Sequence, residues 1–432
     1  MKIIEYPDKN LLTEVLKRPV INNKKLEKKV RKIIGKVRKN GDSAILYFTK
    51  KLDKVKLANL KLSESMINDS EKQLSTELKN AIRIAALNIS KFHEAQLSET
   101  ITVETMKGMK CWQKAVPIEN VGIYIPGGSA PLLSTVLMLA IPAQLAGCKQ
   151  IVLCTPPDKN GKINPAILYA AKINGVSETF ACGGAQAIAA MAYGTESIPK
   201  VDKIFGPGNQ FVTIAKQIVS SQGIAVDLPA GPSEVMILAD ETANPEFIAA
   251  DLLSQAEHGT DSQVILVTTS KKIANQTLDA LNNQLKLLPR KEIAMKALKS
   301  GAIILVKNEQ EMIEISNSYA PEHLIISTKN HNELAELITQ AGSVFLGNYT
   351  PESLGDYASG TNHTLPTNGF ARSYSGLNMD AYFKKITFQE AAPDGLEIIG
   401  PFVEIMANAE QLQGHKNAVS IRLKQIQNEN NS

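Results

Sequence analysis

The chain has 432 residues, too many for one simple core, so two or more domains are expected. With 44% hydrophobic residues and a net charge of +4, it is neither a disordered polyelectrolyte nor a strongly basic nucleic-acid binder. Its four cysteines, Cys111, Cys148, Cys154 and Cys182, have no C-x-x-C spacing, which argues against a zinc knuckle and against a disulfide framework.

Residues 1–20 hold one short helix ending near Arg18-Pro19. Met1-Lys2-Ile3-Ile4-Glu5 has no signal-peptide pattern, so a cytoplasmic protein is expected. Asn22–Lys39 reads as an amphipathic helix whose basic face is solvated; no aromatic interleaving suggests a nucleic-acid partner. A third helix runs from Asp42 to about Leu52. A longer one covers Thr76–Gln96, with Leu78, Ile82, Ala85, Ile89 and Phe92 on one face and His93 beside it as a surface or packing residue. Ile101–Glu104 and Cys111–Ala115 form a hairpin around Lys107-Gly108.

From Val121 the pattern alternates. Strands are expected at Val121–Ile125, Gln150–Thr155, Glu178–Ala181, Lys203–Phe205, Ile224–Leu228 and Glu234–Leu238, mostly separated by helices. This is a βαβ series, hence a mainly parallel sheet covered on both faces. The apolar run Leu132–Cys148 is interrupted by Ser134, Thr135, Pro142 and Gln144, so it reads as a buried helix and not a membrane span. Small-residue loops follow four of the strands: Pro126-Gly127-Gly128, Gly183-Gly184, Gly206-Pro207-Gly208 and Ala230-Gly231-Pro232-Ser233. No G-x-G-x-x-G occurs. In such sheets these loops form the ligand crevice, and glycines let backbone N–H groups approach a nucleotide or other small molecule.

A helix starting at Asn244-Pro245 and stopping at Gly259 ends in Ser254-Gln255-Ala256-Glu257-His258-Gly259. Gln255 and His258 are three residues apart, on one face of the last turn. Alone, this hexapeptide also reads as a helix end with a packed histidine. Further elements are a strand at Gln263–Thr268, helices near Lys272–Leu287 and Arg290–Leu298, a strand at Ala302–Val306 and a helix at Gln310–Asn317. Tyr319-Ala320-Pro321-Glu322-His323 places an acid and an imidazole just before a strand. After Ser343–Leu346 comes a long polar passage, Gly347–Gly376, containing Asp356, His363 and Arg372. The tail from Leu377 is a separate small unit, with Glu404, Glu410 and His415 on or near its helix.

These residues offer a possible metal set (Gln255, His258, Asp356, His415) and a possible acid–base pair (Glu322, His323). Spacing does not establish that they converge, and a zinc hydrolase, with Glu322 activating metal-bound water, fits the same residue types. A non-catalytic binding protein would have no reason to carry all of them. Cys111 and Cys148 sit in no motif beside a base and read as core or surface thiols.

Eight segments, in order, resemble the histidinol dehydrogenases: VGIYIPGGSAP (Val121–Pro131), GGAQAIAA (Gly183–Ala190), VDKIFGPGN (Val201–Asn209), LPAGPSE (Leu228–Glu234), DLLSQAEHG (Asp251–Gly259), YAPEHL (Tyr319–Leu324), GDYASGTNHTLPT (Gly355–Thr367) and HKNAV (His415–Val419). The resemblance implies one zinc per subunit on Gln255, His258, Asp356 and His415. Ser233, His323 and Glu410 match further substrate-contacting positions, and Tyr124, Gln186 and Asn209 match NAD-contacting positions. The implied reaction takes L-histidinol through the aldehyde to L-histidine with two NAD. His323 would take the hydroxyl proton, and Glu322 would deprotonate the water that adds to the aldehyde. The implied architecture is α/β: two Rossmann-like α/β domains with mainly parallel sheets plus small N- and C-terminal extensions. The NAD domain spans 122–234, inserted in a large domain of 21–121 and 235–376 that carries the metal and substrate; 1–20 and 377–432 are the extensions. A homodimer is implied, the tail docking on its neighbour so that active sites are shared.

Overall fold

Fourteen strands occur among the described residues, which are 1–18, 24–127, 131–228 and 231–431 of the computed structural model. In chain order they are β1 (Lys2–Glu5), β2 (Ile101–Met106), β3 (Met109–Pro117), β4 (Asn120–Tyr124), β5 (Gln150–Thr155), β6 (Glu178–Ala181) and β7 (Lys203–Phe205). There follow β8 (Ala225–Val226), β9 (Glu234–Ala239), β10 (Gln263–Thr268), β11 (Ala302–Leu305), β12 (His323–Ser327), β13 (Ser343–Leu346) and β14 (Phe383–Ala391). The chain divides into two units, Met1–Gln96 with Ile118–Tyr382, and Leu97–Pro117 with Phe383–Ser432.

The first unit holds two sheets. One has the order β1-β11-β10-β9-β12-β13 and the other β6-β5-β4-β7-β8, and every pairing in both is parallel. These are the two Rossmann-like α/β layers that the family resemblance implies, parallel as the βαβ pattern predicts, with β9 in the first sheet and not in the second. Alternation along β9 explains how the first sheet is covered. Val235, Ile237 and Ala239 join one core with Ile248, Leu252 and Leu253 of the helix Pro245–Ala256. Met236 and Leu238 join another, with Met312 and Ile315 of the helix Glu309–Tyr319. A strand buried on both faces must be apolar throughout, and β9 is buried along its whole length. In the second sheet the helix Leu133–Ala146 is buried nearly all round, as its run of apolar residues requires.

The second unit is a three-stranded antiparallel sheet, β14-β3-β2, and two helices, Pro393–Ala409 and Gln413–Asn430. Trp112 stacks on Phe388 across the β3–β14 ladder, with ring centroids 5.2 Å apart. Residues 101–117 were expected in the large domain. Their hairpin pairs instead with β14, a strand hidden in a tail that had been read only as helical.

Other differences have local causes. Lys2–Glu5 is an edge strand parallel to β11, too short and too charged to stand out from the sequence. The basic helix and its successor form one element, Lys24–Phe48, with a kink at Gly41, where φ is 50°. The expected start of the basic helix at Asn22 and the domain boundary at 20/21 lie outside the described residues. The helix Thr76–Glu94 turns His93, not Phe92, into the core, and the imidazole Nδ1 is 2.8 Å from the Ile89 carbonyl. The polar passage is not structureless, for it contains the helix Glu352–Tyr357. Among the described residues no helix is long and apolar enough to cross a membrane.

Three of the small-residue loops leave the carboxyl ends of β4, β6 and β7; Gly128, like Ala230 of the fourth, lies outside the described residues. Gly206 is the most constrained. Its φ is +123°, and a Cβ there would lie 2.1 Å from the Tyr124 carbonyl oxygen, because β7 runs beside β4. Gly206→Ala should therefore lower the unfolding free energy by about 2–4 kcal/mol. Denaturant titration checks this; an unchanged midpoint would mean that the loop relaxes freely.

Candidate active site

β9 and β12 are neighbours near the middle of the first sheet, with His323 level with Val235. Parallel pairing then sets Glu322 beside Glu234, whose backbone N–H donates to Glu322 Oε2 at 2.8 Å. The helix Pro245–Ala256 begins under an Asn244 side-chain cap with proline in its first turn, and runs back along the sheet. It thereby delivers Gln255 to the amino ends of these strands, where Gln255 Nε2 lies 2.9 Å from His323 Nδ1. The short helix Glu352–Tyr357 completes the group from one face. Asp356 Oδ1 lies 3.3 Å from His323 Nε2, while Glu352, four residues earlier, accepts from Ser254 Oγ at 2.6 Å and Gln255 Nε2 at 3.4 Å. Two segments over 90 residues apart are thus locked at one point.

Burial and partners set the charges. Burial alone would depress the His323 imidazole, but the Glu322 carboxylate, the Asp356 hydrogen bond and Glu352 outweigh it and hold His323 well above its ordinary value. Burial pushes Glu322 up. It pushes Glu352 up too, to about 8, so that carboxyl is protonated at neutral pH. Asp356 goes the other way: burial would raise it, but its bond to His323 and the charges of His323, His363 and His258 hold it down. His258 is depressed, chiefly by burial.

Gln255 and Asp356 both bond His323, and His258 is near enough to Asp356 for each to bias the other's charge. With Nε2 of Gln255 donating to its neighbours, its Oε1 receives no hydrogen bond among the described residues. Imidazole and carboxylate are ordinary zinc donors and a glutamine amide oxygen an uncommon one, so Gln255, His258 and Asp356 can supply three of the four expected ligands. No three His, Cys, Asp or Glu among the described residues group as a metal cluster, so the amide of Gln255 is needed to make a third donor. Ser233 immediately precedes β9, its carbonyl accepting from Gln263 N at 2.9 Å. His415 and Glu410 belong to the second unit, where Glu410 follows the helix Pro393–Ala409 and His415 stands in the first turn of Gln413–Asn430; both are exposed.

Tyr124, Gln186 and Asn209 line one cavity of 250 Å³ at the carboxyl ends of the second sheet. The Tyr124 hydroxyl accepts from Gly184 N at 2.9 Å, and Asn209 Oδ1 caps the helix Gln210–Ser220. His363 links this sheet to the acid–base group: its Nε2 is 3.1 Å from Thr135 Oγ1, at the start of the helix after β4, and its Nδ1 is 2.8 Å from the Asp356 carbonyl. His363 had been noticed in the polar passage but given no role. Glu352 and Arg18 were missed. Glu352 could have been found from its i, i+4 spacing to Asp356; nothing in the sequence pairs Arg18 with a residue 216 positions away.

Arg18 donates through Nε and Nη2 to both Glu234 oxygens, at 2.5 and 2.8 Å, and through Nη2 to the carbonyls of Tyr319 and Ala320. Glu234 is buried, so Arg18→Ala would strand a carboxylate beside Glu322. The expected cost is about 3–5 kcal/mol of stability, with much of it recovered in Arg18→Ala/Glu234→Gln. Thermal and denaturant melts of the three variants check this; equal losses in single and double variants would overturn it.

The chain matches the family profile described as histidinol dehydrogenase over residues 16–423. A histidinol dehydrogenase of Bacteroides fragilis is 59% identical over 99% of this chain and 100% of its own length, and one of Vibrio cholerae is 53% identical over 96% of each. The crystal structure of histidinol dehydrogenase from Elizabethkingia anophelis superposes with a TM-score of 0.97 at 54% identity, covering 99% of both chains. The hydrolase reading finds no support in any of these. On the full-length match and the superposition together, the chain belongs to the histidinol dehydrogenase family.

Proposed function

We propose that this chain oxidises L-histidinol to L-histidine by way of L-histidinaldehyde, with Glu322 and His323 as its proton-transfer pair. The observation that carries the reading is the buried run Glu322–His323–Asp356, braced by Gln255 and Glu352, and linked through His363 to the helix that follows β4. Bound NAD supplies the hydride acceptor, twice per turnover, and residues 122–234, with Tyr124, Gln186 and Asn209, are the part read as holding it. Bound zinc, on Gln255, His258, Asp356 and His415, supplies a fixed charge that orients the imidazole and amino groups of histidinol.

In its neutral form His323 accepts the hydroxyl proton in the first oxidation, and the surrounding carboxylates that raise its pKa make that form the more basic. Its Nε2 edge faces Asp356 and its Nδ1 edge faces Gln255 and the Glu234 carbonyl, so the ring cannot swing away. Glu322 acts in the second oxidation, taking a proton from the water that adds to the aldehyde. Burial raises its affinity for a proton, which favours a base, and the Glu234 N–H keeps one oxygen in place. Ser233 contributes to substrate positioning from the turn into β9. Four unpaired cysteines support a cytoplasmic location.

Glu322→Gln keeps an oxygen for the Glu234 N–H but has no basic carboxylate. The aldehyde-to-acid half should fall by about 10²–10⁴-fold while the alcohol-to-aldehyde half falls less. Single-turnover assays started from histidinol and from histidinaldehyde compare the two; equal losses would sink this division of labour.

The reading also includes a homodimer in which His415 and Glu410 serve the partner's site. The support lies in the second unit, whose helix Pro393–Ala409 leaves Phe402, Ile405 and Met406 59%, 67% and 65% exposed in the single chain. Inactive His258→Ala and His415→Ala chains, unfolded and refolded together, should then recover about a quarter of wild-type activity. Half of the dimers are mixed, and each mixed dimer has one intact site of two. No recovery, with mixed dimers shown to be present, would rule out shared sites.

A further inference from the structure

The 250 Å³ cavity lined by Tyr124, Gln186 and Asn209 has a fourth polar wall, Asp53. This residue lies far from the glycine loops in sequence. It ends a π-helical turn, Thr49–Asp53, that extends the helix Lys24–Phe48, and Lys54 closes the turn in the left-handed region at φ 63°. Such turns are rare and concentrate at functional sites. Asp53 Oδ2 is buried and meets no hydrogen-bond donor of the protein, and the same is true of Gln186 Oε1 in the same cavity. Two buried acceptors without donors ask for a ligand that brings hydroxyl or amino hydrogens.

Charge narrows the ligand further. The cavity is lined by no Lys, Arg or His among the described residues, and burial, unopposed by any cation, pushes the Asp53 carboxyl up. A phosphate placed here would meet a carboxylate and no compensating base. A sugar diol would meet two acceptors, and Ile33, Leu52 and Phe211 supply apolar walls for a flat ring beside it. None of Ser233, Gln255, His258, Glu322, His323 or Asp356 lines the cavity, so it suits the end of a dinucleotide remote from the reacting carbon.

We propose that Asp53 binds the adenosine ribose hydroxyls of NAD and excludes the 2′-phosphate of NADP, making it the residue that sets cofactor choice. The proposal rests on the NAD-dependent reading above. It uses the chemistry by which an acidic side chain reads the ribose in doubly wound folds, but from a different place. Here the acid comes from a helix preceding the whole second sheet.

The test is equilibrium binding to the full-length protein, by calorimetry, of NAD, NADP, ADP-ribose and 2′-phospho-ADP-ribose. Wild type should prefer the unphosphorylated member of each pair. Asp53→Asn should weaken NAD and ADP-ribose about tenfold or more, since a charge-assisted hydrogen bond is lost, while the phosphorylated ligands hold or gain. The preference ratio then collapses in both pairs. If Asp53→Asn changes neither ratio, or weakens all four ligands alike, the proposal is overturned. Asp53→Ser is read in parallel, and melting of both variants without nucleotide should show no loss of stability, because each removes a desolvated carboxylate that has no cation beside it. A lowered melting temperature with an unchanged ratio would make Asp53 structural and would also overturn the proposal. Failure of the wild type to bind NAD at all would instead strike the underlying functional reading.

Discussion

The ion pair between Arg18 and Glu234 is the constraint on which the acid–base group depends. One guanidinium reaches both oxygens of Glu234 and the carbonyls of Tyr319 and Ala320, and lies 3.7 Å from the centre of the Tyr319 ring. Glu234 Oε1 also accepts from Asn368 N at 3.0 Å. Four separate pieces of chain are therefore fastened together: the N-terminal segment, the first residue of β9, the turn into β12 and the polar passage after Asp356. Ala320 in that turn holds a left-handed conformation, φ 53°, which a non-glycine residue adopts only when its surroundings impose it. Pinning both sides of the turn sets where Glu322 and His323 emerge, and the fork geometry of arginine is suited to that task.

The cavity read as holding NAD and the acid–base group lie at opposite ends of their sheets. The cavity with Tyr124, Gln186 and Asn209 follows the usual rule for open parallel sheets, at the carboxyl ends of the strands. Glu322, His323 and Gln255 instead collect at the amino ends of β9 and β12. Thr135, at the start of the helix after β4, bonds His363, which in turn bonds the Asp356 carbonyl, so the two regions are joined through hydrogen bonds.

The buried carboxyls of this region differ in what they are held for. Glu352, protonated at neutral pH, braces Ser254 and Gln255 and so behaves as a neutral hydrogen-bonding strut. Asp356 is kept ionised by the imidazoles around it, which is the state a cation requires. Glu322 lies between these, with one oxygen held by a backbone N–H and its pKa raised by burial. Desolvation is common to all three, and the identity of the nearest partner separates them.

Much was legible before any coordinates. The alternation from Val121 onward, the Asn-Pro helix start at 244 and the glycine loops are local signals, each written within a few residues, and they led to parallel α/β layers. The family motifs likewise marked Gln255, His258, Glu322, His323 and Asp356, because each lies in a short distinctive run. What could not be read was anything carried by pairing at a distance. β14 was hidden because a strand of mixed polarity is recognisable only by its partner, here the hairpin 101–117. Arg18 looked like the end of a short helix, since its meaning comes from a carboxylate 216 residues on. Asp53, just past a helix expected to end at about Leu52, carries no local signal, and only the fold brings it beside Gln186 and Tyr124. Sequence by itself determined which elements form and which side chains carry chemistry, because hydrophobic period, caps and turn residues act over a few positions. Tertiary structure alone decided which of those side chains share a desolvated space, and hence their charges, because burial and pairing depend on parts of the chain hundreds of residues apart.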